Sequence, residues 1–352
     1  MEQLITVYGE DAVLMAAGAL VGGLFGATAQ HSRFCLRAAT VELAEAKFGP
    51  RIAIWLIAFS AAVVSVQFAI SLGWLDVSQS RQLAAAGSMS GAIIGGVMFG
   101  VGMILARGCA SRLLVLSATG NLRAIVTGLV LTLVAQMSLR GVLAPAREAL
   151  ATIWMVPGGA ARSILEQVHI GHMLAGLISL AVLISALVLA RSKAVKTSHA
   201  VAAVGVGLAV ALGWIATYAV ASNSFEVVAI SSVTFTGPST DTLMGLVNNT
   251  QLPLGFGVGL VPGVFVGSAV MAIVSGEFKI QRFGADSPME QYLFGAALMG
   301  FGSMLAGGCA VGAGMSGGAI FALTAWIAVG AMWAGAMATH ILLNKLPKPV
   351  LA

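Results

Sequence analysis

Nine long apolar runs, separated by short polar stretches, constrain this chain more than any other feature. They lie at about residues 12–30, 52–74, 90–106, 122–138, 171–190, 200–222, 253–274, 291–306 and 317–343. A helix needs about 20 mostly apolar residues to cross a bilayer. Only 9% of the residues are charged, against about 25% in soluble domains. The sequence therefore predicts an all-α polytopic membrane protein with about nine membrane segments.

The basic residues predict which polar stretches face the cytoplasm. Residues 191–196 form the clearest basic cluster, and residues 31–51 form a second one. Short cytoplasmic loops of membrane proteins are enriched in Lys and Arg. Residues 223–252 contain neither, so we expect them to face outside. We therefore attribute the net charge of +5 to basic loops that orient the protein in the membrane. The sequence has no basic stripe with interleaved aromatic residues, so it does not indicate nucleic-acid binding.

A Gly-Cys-Ala sequence occurs twice, at the ends of two short apolar runs. Residues 100–110 (GVGMILARGCA) match residues 300–310 (GFGSMLAGGCA) at seven of eleven positions. Short, glycine-broken segments at corresponding places in two halves point to a substrate site near the bilayer midplane. We therefore predict two internally repeated halves, 1–190 with extra helices and 200–352, joined by a basic loop at 191–199. Their Gly-Cys-Ala helices should be broken or re-entrant.

A weaker pairing sets residues 32–37 (SRFCLR) against residues 276–281 (GEFKIQ), which would make Lys279 the counterpart of Cys35. Its offset differs from 200, so it requires insertions of unequal length. The basic residues place both stretches on the same side of the membrane, whereas inverted repeats would separate them. The sequence leaves open whether the repeats are inverted.

The residues at the two turns predict a site for a small anion that contains sulfur. A broken helix frees backbone N–H groups that favour an anion, and irregular backbone at membrane depth implies a cavity or narrow pore. Gly108 and Gly308 allow close approach of a ligand to the backbone. Cys109 and Cys309 offer soft, polarisable thiols. Arg107 could attract the anion, or it could stabilise a thiolate that would repel it.

Plainer interpretations also fit these residues. Cysteine is a routine buried small hydrophobe, the glycines before each cysteine suit close helix packing, and Arg107 and Arg112 could extend to an interface. The repeat favours a functional role for Cys109 and Cys309, because both lie at the break. On the residues alone, Cys35 is a weaker candidate.

With these motifs in place, the chain resembles the YeeE/YedE family of bacterial inner-membrane proteins, in particular its thiosulfate-uptake type. The resemblance covers nearly the whole chain and includes SRFC after the first run, GCA in each half, SVTFTGP at 232–238 and GEF at 276–278. It implies an hourglass-shaped helical protein in which thiosulfate passes a central constriction. It also implies that Cys35, Cys109 and Cys309 contact the substrate, and that a small sulfurtransferase of the TusA type is a partner.

The residues predict transport of an anion that contains sulfur, and the resemblance implies uptake of thiosulfate, or a related inorganic sulfur anion, across the bacterial inner membrane. We expect no cofactor and no metal. No nucleotide-binding loop and no intramembrane acid for a proton relay is evident. One alternative is a membrane sulfurtransferase that forms a cysteine persulfide; another is a transporter of selenium or other sulfur species. The enzyme interpretation lacks a His or acid beside the turns to activate the thiols.

Overall fold

The protein is built almost entirely of helices in the computed structural model, which describes residues 2–224, 226–248, 253–282 and 288–345. The helices are α1 (Glu2–Tyr8), α2 (Glu10–Ser32), α3 (Leu36–Ala44), α4 (Pro50–Ser71), α5 (Arg81–Ala84), α6 (Met89–Leu105), α7 (Ala110–Ala118), α8 (Leu122–Arg140), α9 (Ala144–Ala151), α10 (Ile164–Gln167), α11 (His172–Ser192), α12 (Thr197–Ala221), α13 (Thr236–Asn248), α14 (Phe256–Val274), α15 (Met289–Leu305) and α16 (Leu323–Lys345). A 3-10 helix (Gly159–Arg162), a π-helix (Gly312–Gly317) and two antiparallel strands, β1 (Gly87–Ser88) and β2 (Met155–Val156), complete the described elements.

Each of the nine apolar runs coincides with one long helix. Within the described residues, eight segments are long and apolar enough to cross a membrane, and two of these continue through a break, Glu10–Ala44 and Met89–Ala118. Helix α15, with 17 residues, is shorter and ends at the second Gly-Cys-Ala turn. The predicted all-α polytopic membrane fold is confirmed.

The outward-facing side chains of these helices are apolar, as lipid requires. Helix α11 exposes Leu177, Ile184 and Val188, and helix α14 exposes Val266 and Val270. Exposed apolar surface on this scale marks contact with a membrane or a partner. Since this surface follows the membrane-length helices, its natural solvent is the hydrocarbon of the bilayer.

Helices α6 and α15 lie side by side and run in opposite directions. A Cβ atom on Gly95 would lie 2.5 Å from the carbonyl oxygen of Gly302, and one on Gly302 would lie 2.6 Å from the carbonyl oxygen of Gly95. Towards one end of the pair, Gly91 faces the carbonyl of Leu305. Backbones can approach this closely only where neither helix carries a side chain, so these glycines allow the antiparallel contact.

The order of elements in α2–α8 recurs about 200 residues later in α12–α16. The short helices α3 and α13 begin at Leu36 and Thr236, and the helices that end in Gly-Cys-Ala begin at Met89 and Met289. The packing recurs as well, because α2 contacts α14 as α12 contacts α4, and α6 contacts α16 as α15 contacts α8. The antiparallel α6 and α15 show that the two sets of helices have opposite orientations, which the sequence left open.

The structure gives Cys35 a different counterpart from Lys279. Cys35 immediately precedes α3, and the residue that immediately precedes α13 is Phe235. Residues 32–37 and 276–281 instead belong to neighbours that run in the same direction, and Arg33 Nη2 lies 2.9 Å from Glu277 Oε1. Their similarity is therefore not the repeat correspondence. The division of the chain into 1–190, 191–199 and 200–352 stays a prediction.

We expect Gly302→Ala to destabilise the protein, because the new methyl group must push apart two backbones in contact. Overpacking of this kind costs about 1–3 kcal/mol. The matched control is Gly330→Ala in α16, where a Cβ atom meets nothing within 4 Å and the better helix propensity of alanine favours the folded state. Thermal unfolding in detergent measures both. Equal melting temperatures for the two variants would contradict the close contact.

Candidate functional site

The first Gly-Cys-Ala turn ends helix α6 and reverses the chain. Arg107 has a left-handed φ of 54°, and the N–H of Gly108 donates to the carbonyl of Met103 at 3.2 Å, which closes the helix end as in a Schellman motif. Helix α7 then starts from Cys109, whose carbonyl accepts the N–H of Leu113 at 2.9 Å. The thiol is therefore held where a new helix begins.

The second turn repeats this geometry. Gly307 has a φ of 78°, and the N–H of Gly308 donates to the carbonyl of Ser303 at 2.9 Å. The carbonyl of Cys309 accepts the N–H of Ala313 at 2.8 Å, and the π-helix Gly312–Gly317 follows. The predicted breaks at both Gly-Cys-Ala sequences are present.

Cys35 lies at a third turn of the same kind, which the sequence alone did not reveal. Arg33 ends α2 with a φ of 55°, and the N–H of Phe34 donates to the carbonyl of Ala29 at 3.1 Å. Cys35 then caps α3, and its carbonyl accepts the N–H of Ala39 at 3.3 Å. All three cysteines are thus the second residue after a left-handed residue. The signal was hidden because Phe34 precedes this cysteine, where Gly108 and Gly308 precede the other two, so the Gly-Cys-Ala sequence is absent here.

The thiols are free and enclosed by protein. Cys109 and Cys309 are each 1% exposed, and Cys35 is partly buried. The thiols of Cys35 and Cys109 interact with each other, and Cys109 Sγ lies 3.4 Å from Ser111 Oγ. Cys109 and Cys309 belong to one continuous apolar core. The structure therefore brings Cys35 and Cys109 together, with Cys309 at the pseudo-equivalent turn of the other half.

Arg112 carries a positive charge that acts on both of the paired thiols, whereas Arg37 acts on Cys35 alone. Arg112 lies three residues after Cys109, and its positive charge interacts with both Cys35 and Cys109. Sequence analysis left Arg112 open between an interfacial role and a substrate role, and residues three apart on a helix lie on the same side. This cation is placed to attract an anion to the two thiols.

A chain of polar side chains joins Arg112 to the face of the protein that carries residues 191–196, here called the basic face. Arg112 Nη1 donates to Gln30 Oε1 at 3.4 Å, and Gln30 Nε2 donates to Glu277 Oε2 at 2.8 Å. The hydrogen bond from Arg33 lowers the pKa of Glu277. These contacts hold the side chain of Gln30 between the thiol pair and the surface.

Arg107 is exposed and faces an aromatic ring. Its guanidinium carbon lies 5.7 Å from the centroid of the Tyr292 ring, and that of Arg123 lies 4.7 Å from it. Arg37 is a third cation near this ring, and its Nε is buried without a hydrogen-bond partner. The predicted role of Arg107 in substrate binding stays a prediction, and the structure adds Arg37 and Arg123 to the same cluster.

Gly108 and Gly308, which precede the cysteines, are packed closely against the residues that follow each turn. A Cβ on Gly308 would lie 2.9 Å from the backbone nitrogen of Ala313, and one on Gly108 would lie 3.3 Å from the Leu113 side chain. Each turn can therefore fold onto the chain that follows it. Contact of Gly108 and Gly308 with substrate stays a prediction.

A basin opens beside the second turn, on the face opposite the basic face. It consists of two adjoining cavities of about 450 and 270 Å³, which share Arg81, Gln82, Ala85 and Gly307 in their walls. Gly312 lines the larger and Ala313 the smaller. Cys309 therefore lies in the loop that forms the floor of this basin. Among the described residues, no group of three or more His, Cys, Asp or Glu could hold a metal ion.

We expect Glu277→Gln to lower stability by about 1 kcal/mol at neutral pH, because it removes a partly exposed ion pair. A carboxyl whose pKa is lowered in the folded state contributes stability above its unfolded pKa, about 4.3. That contribution is lost as the pH falls through the lower folded pKa. The gap in unfolding temperature between wild type and variant should thus shrink below about pH 4. A gap independent of pH would contradict this.

The chain matches known sulfur transporters over most of its length. The model of a family described as "Sulphur transport" matches residues 31–338. The chain is 28% identical over 335 residues to the "Thiosulfate transporter TsuA" of Escherichia coli (strain K12), covering 89% of this chain and 90% of that protein. A "Thiosulfate transporter TsuA" of Spirochaeta thermophila is 27% identical over 327 residues, covering 88% of this chain and 93% of that protein.

The family match and the eight membrane-length segments confirm the predicted multi-pass membrane transporter, and a transport function in place of an enzymatic one. The extent of the match, from just before the first cysteine turn to most of α16, includes all three turns. This chain belongs to the Sulphur transport family.

Proposed function

We propose that this protein takes up thiosulfate across the bacterial inner membrane, and that residues 1–190 and 200–352 are its two inverted repeats. The observation that carries the proposal is the placement of all three thiols at helix breaks of the same kind. The thiols of Cys109 and Cys309 are almost completely buried. The two relatives named as thiosulfate transporters support the choice of substrate.

The charge distribution orients the protein in the membrane. Residues 31–51 and 191–196 lie at one end of the spanning helices, and excess Lys and Arg favours the cytoplasmic side. The basin beside Cys309 then opens to the outside, together with residues 226–234. Substrate enters this basin, meets the turn of Cys309, and leaves past the paired thiols of Cys109 and Cys35.

Thiols suit this substrate for a chemical reason. The terminal sulfur of thiosulfate is soft and polarisable, like the cysteine sulfur, and a neutral thiol donates a weak hydrogen bond without repelling a dianion. Freed N–H groups where α7 begins favour the negative charge, and Arg112 adds a positive one. Together these groups replace part of the water that the ion loses in the membrane.

The passage is closed between the two halves. Cys109 and Cys309 are each 1% exposed, so the described part of the chain closes both thiols off from water. The ion therefore crosses when the packed turns separate by a small movement, as in transporters with a central binding site. On the cytoplasmic side the cluster of Arg37, Arg107 and Arg123 receives the ion, and a small sulfurtransferase of the TusA type is the partner that would accept it.

We expect Cys109→Ala and Cys309→Ala each to reduce uptake of radiolabelled thiosulfate into proteoliposomes at least tenfold. The loss follows because each variant leaves a stretch of the passage without a group that contacts the ion. The matched control is Ser138→Ala, which also removes one buried heteroatom but lies in α8, outside the turns. Uptake by both cysteine variants at the wild-type rate would rule out the thiol passage.

Mass spectrometry separates transport from sulfur transfer. Under the transport proposal the three cysteines keep their unmodified mass after exposure to thiosulfate. A stable added sulfur on Cys109 or Cys309 would instead support a persulfide-forming enzyme. The contacts of Cys109 argue against the enzyme, because its partners are Cys35, Ser111 and Arg112, and none of them is the His or acid that usually activates a thiol nucleophile.

A further inference from the structure

Three arginine side chains line the basin above Cys309. Arg81, Arg147 and Arg162 all belong to the wall of the smaller cavity, and Arg81 also lines the larger one. No Asp or Glu is among the described residues that line either cavity. Glu148, whose side chain is 65% exposed, forms an ion pair with Arg147 at 3.0 Å. A concave space with an excess of positive charge concentrates anions.

Arg162 is the buried member of this set. It is 6% exposed, and its Nη atoms donate to the carbonyls of Arg81 and Ala85 and to the hydroxyl of Thr324. Its Nε is buried and has no hydrogen-bond partner. None of these contacts supplies a negative charge, and burial together with Arg81 lowers the pKa of Arg162. A buried cation without a counter-charge is costly, so this side chain favours an anion beside it.

Arg81 connects the basin to the thiol turn. It is exposed, and its Nη2 lies 3.4 Å from the carbonyl oxygen of Gly307, two residues before Cys309. This long contact is the one side-chain hydrogen bond found for Arg81 among the described residues. The guanidinium is therefore free to bind a ligand that arrives beside the turn.

We propose that these arginines form a second anion site, outside Cys309, which binds tetrahedral divalent oxyanions by charge and oxygen geometry. Guanidinium groups bind such oxygens through paired hydrogen bonds. The site does not distinguish thiosulfate from sulfate, because the guanidinium groups contact oxygen. The thiol turn then selects for sulfur. If the site captures thiosulfate for transport, that role rests on the proposed uptake of thiosulfate. The binding of an anion to the site does not rest on it.

Anion binding is measured by thermal unfolding of the purified full chain with sodium thiosulfate or sodium sulfate, at constant ionic strength set with sodium chloride. A ligand that binds only the folded state raises its melting temperature. We expect both dianions to raise it for wild type and for Cys309→Ala. Arg81→Gln should remove the rise, whereas Arg140→Gln, on the same face but outside the basin walls, should keep it.

Arg162→Lys is the second basin variant, because Arg162 also holds the chain around Arg81 and Ala85 in place. The lysine keeps the positive charge but lacks the planar set of N–H donors of a guanidinium group. The rise in melting temperature with either dianion should therefore become smaller. A rise that persists unchanged in Arg81→Gln, or that occurs with thiosulfate but not with sulfate, would overturn the proposed site.

Uptake assays separate this proposal from the transport proposal. Sulfate should compete with thiosulfate, and Arg81→Gln should raise the KM for thiosulfate about tenfold, the usual effect of losing one charge-assisted hydrogen bond, with little change in the maximal rate. A wild-type protein that shows the thermal shift but takes up no thiosulfate would refute the transport function and leave the anion site standing. Normal thiosulfate uptake without the thermal shift would refute the anion site and leave the transport function standing.

Discussion

The structure depends on how a polypeptide can interrupt a helix inside hydrocarbon. Each free N–H or carbonyl there costs several kcal/mol unless protein or water satisfies it. The three cysteine turns meet this requirement in the same way, with a left-handed residue that closes the old helix and a cysteine carbonyl that starts the next one. Irregular backbone is thereby reduced to two or three residues, and those residues place a thiol inside the protein.

The close contact between α6 and α15 positions two of these turns. Glycines along both helices let the backbones touch, and the antiparallel arrangement directs the two Gly-Cys-Ala turns towards opposite faces. Each face consequently has its own group of cations near a turn: Arg81, Arg147 and Arg162 on one side, and the cluster around Tyr292 on the other. Under the proposed function, the duplication of one helical unit would supply both an entrance and an exit for an anion.

Sequence patterns predicted the parts of this structure that depend on local composition. The apolar runs located all nine long helices, and the repeated Gly-Cys-Ala located two of the three turns. Helix direction could not be predicted, because it depends on contacts between residues about 200 positions apart, such as Gly95 with Gly302. For the same reason the sequence offered Lys279 as the counterpart of Cys35, since GEF resembles SRF locally while the fold places them on parallel neighbours.

The charged residues of the site were harder to predict than the thiols. Arg81 and Arg162 are 81 positions apart and meet only because the segment between α8 and α11 folds over β1. Arg112 was visible in the sequence, but its partner Gln30 lies in another helix. Arginines in loops carry no pattern that separates a binding role from ordinary solvation. Among the described residues, the burial of Arg162 and the lack of an acidic partner for Arg81 and Arg162 distinguish them.

The two copies of the duplicated unit differ chemically, because Phe235 occupies in one copy the position that Cys35 occupies in the other. The Phe235 ring is 1% exposed and packs against Phe25, with centroids 5.1 Å apart, so an inert aromatic wall stands where the other half offers a second sulfur. Under the proposed function, a migrating ion would meet one soft group before the midpoint and two beyond it. A single side chain thus gives an otherwise symmetric scaffold a chemical polarity along the membrane normal.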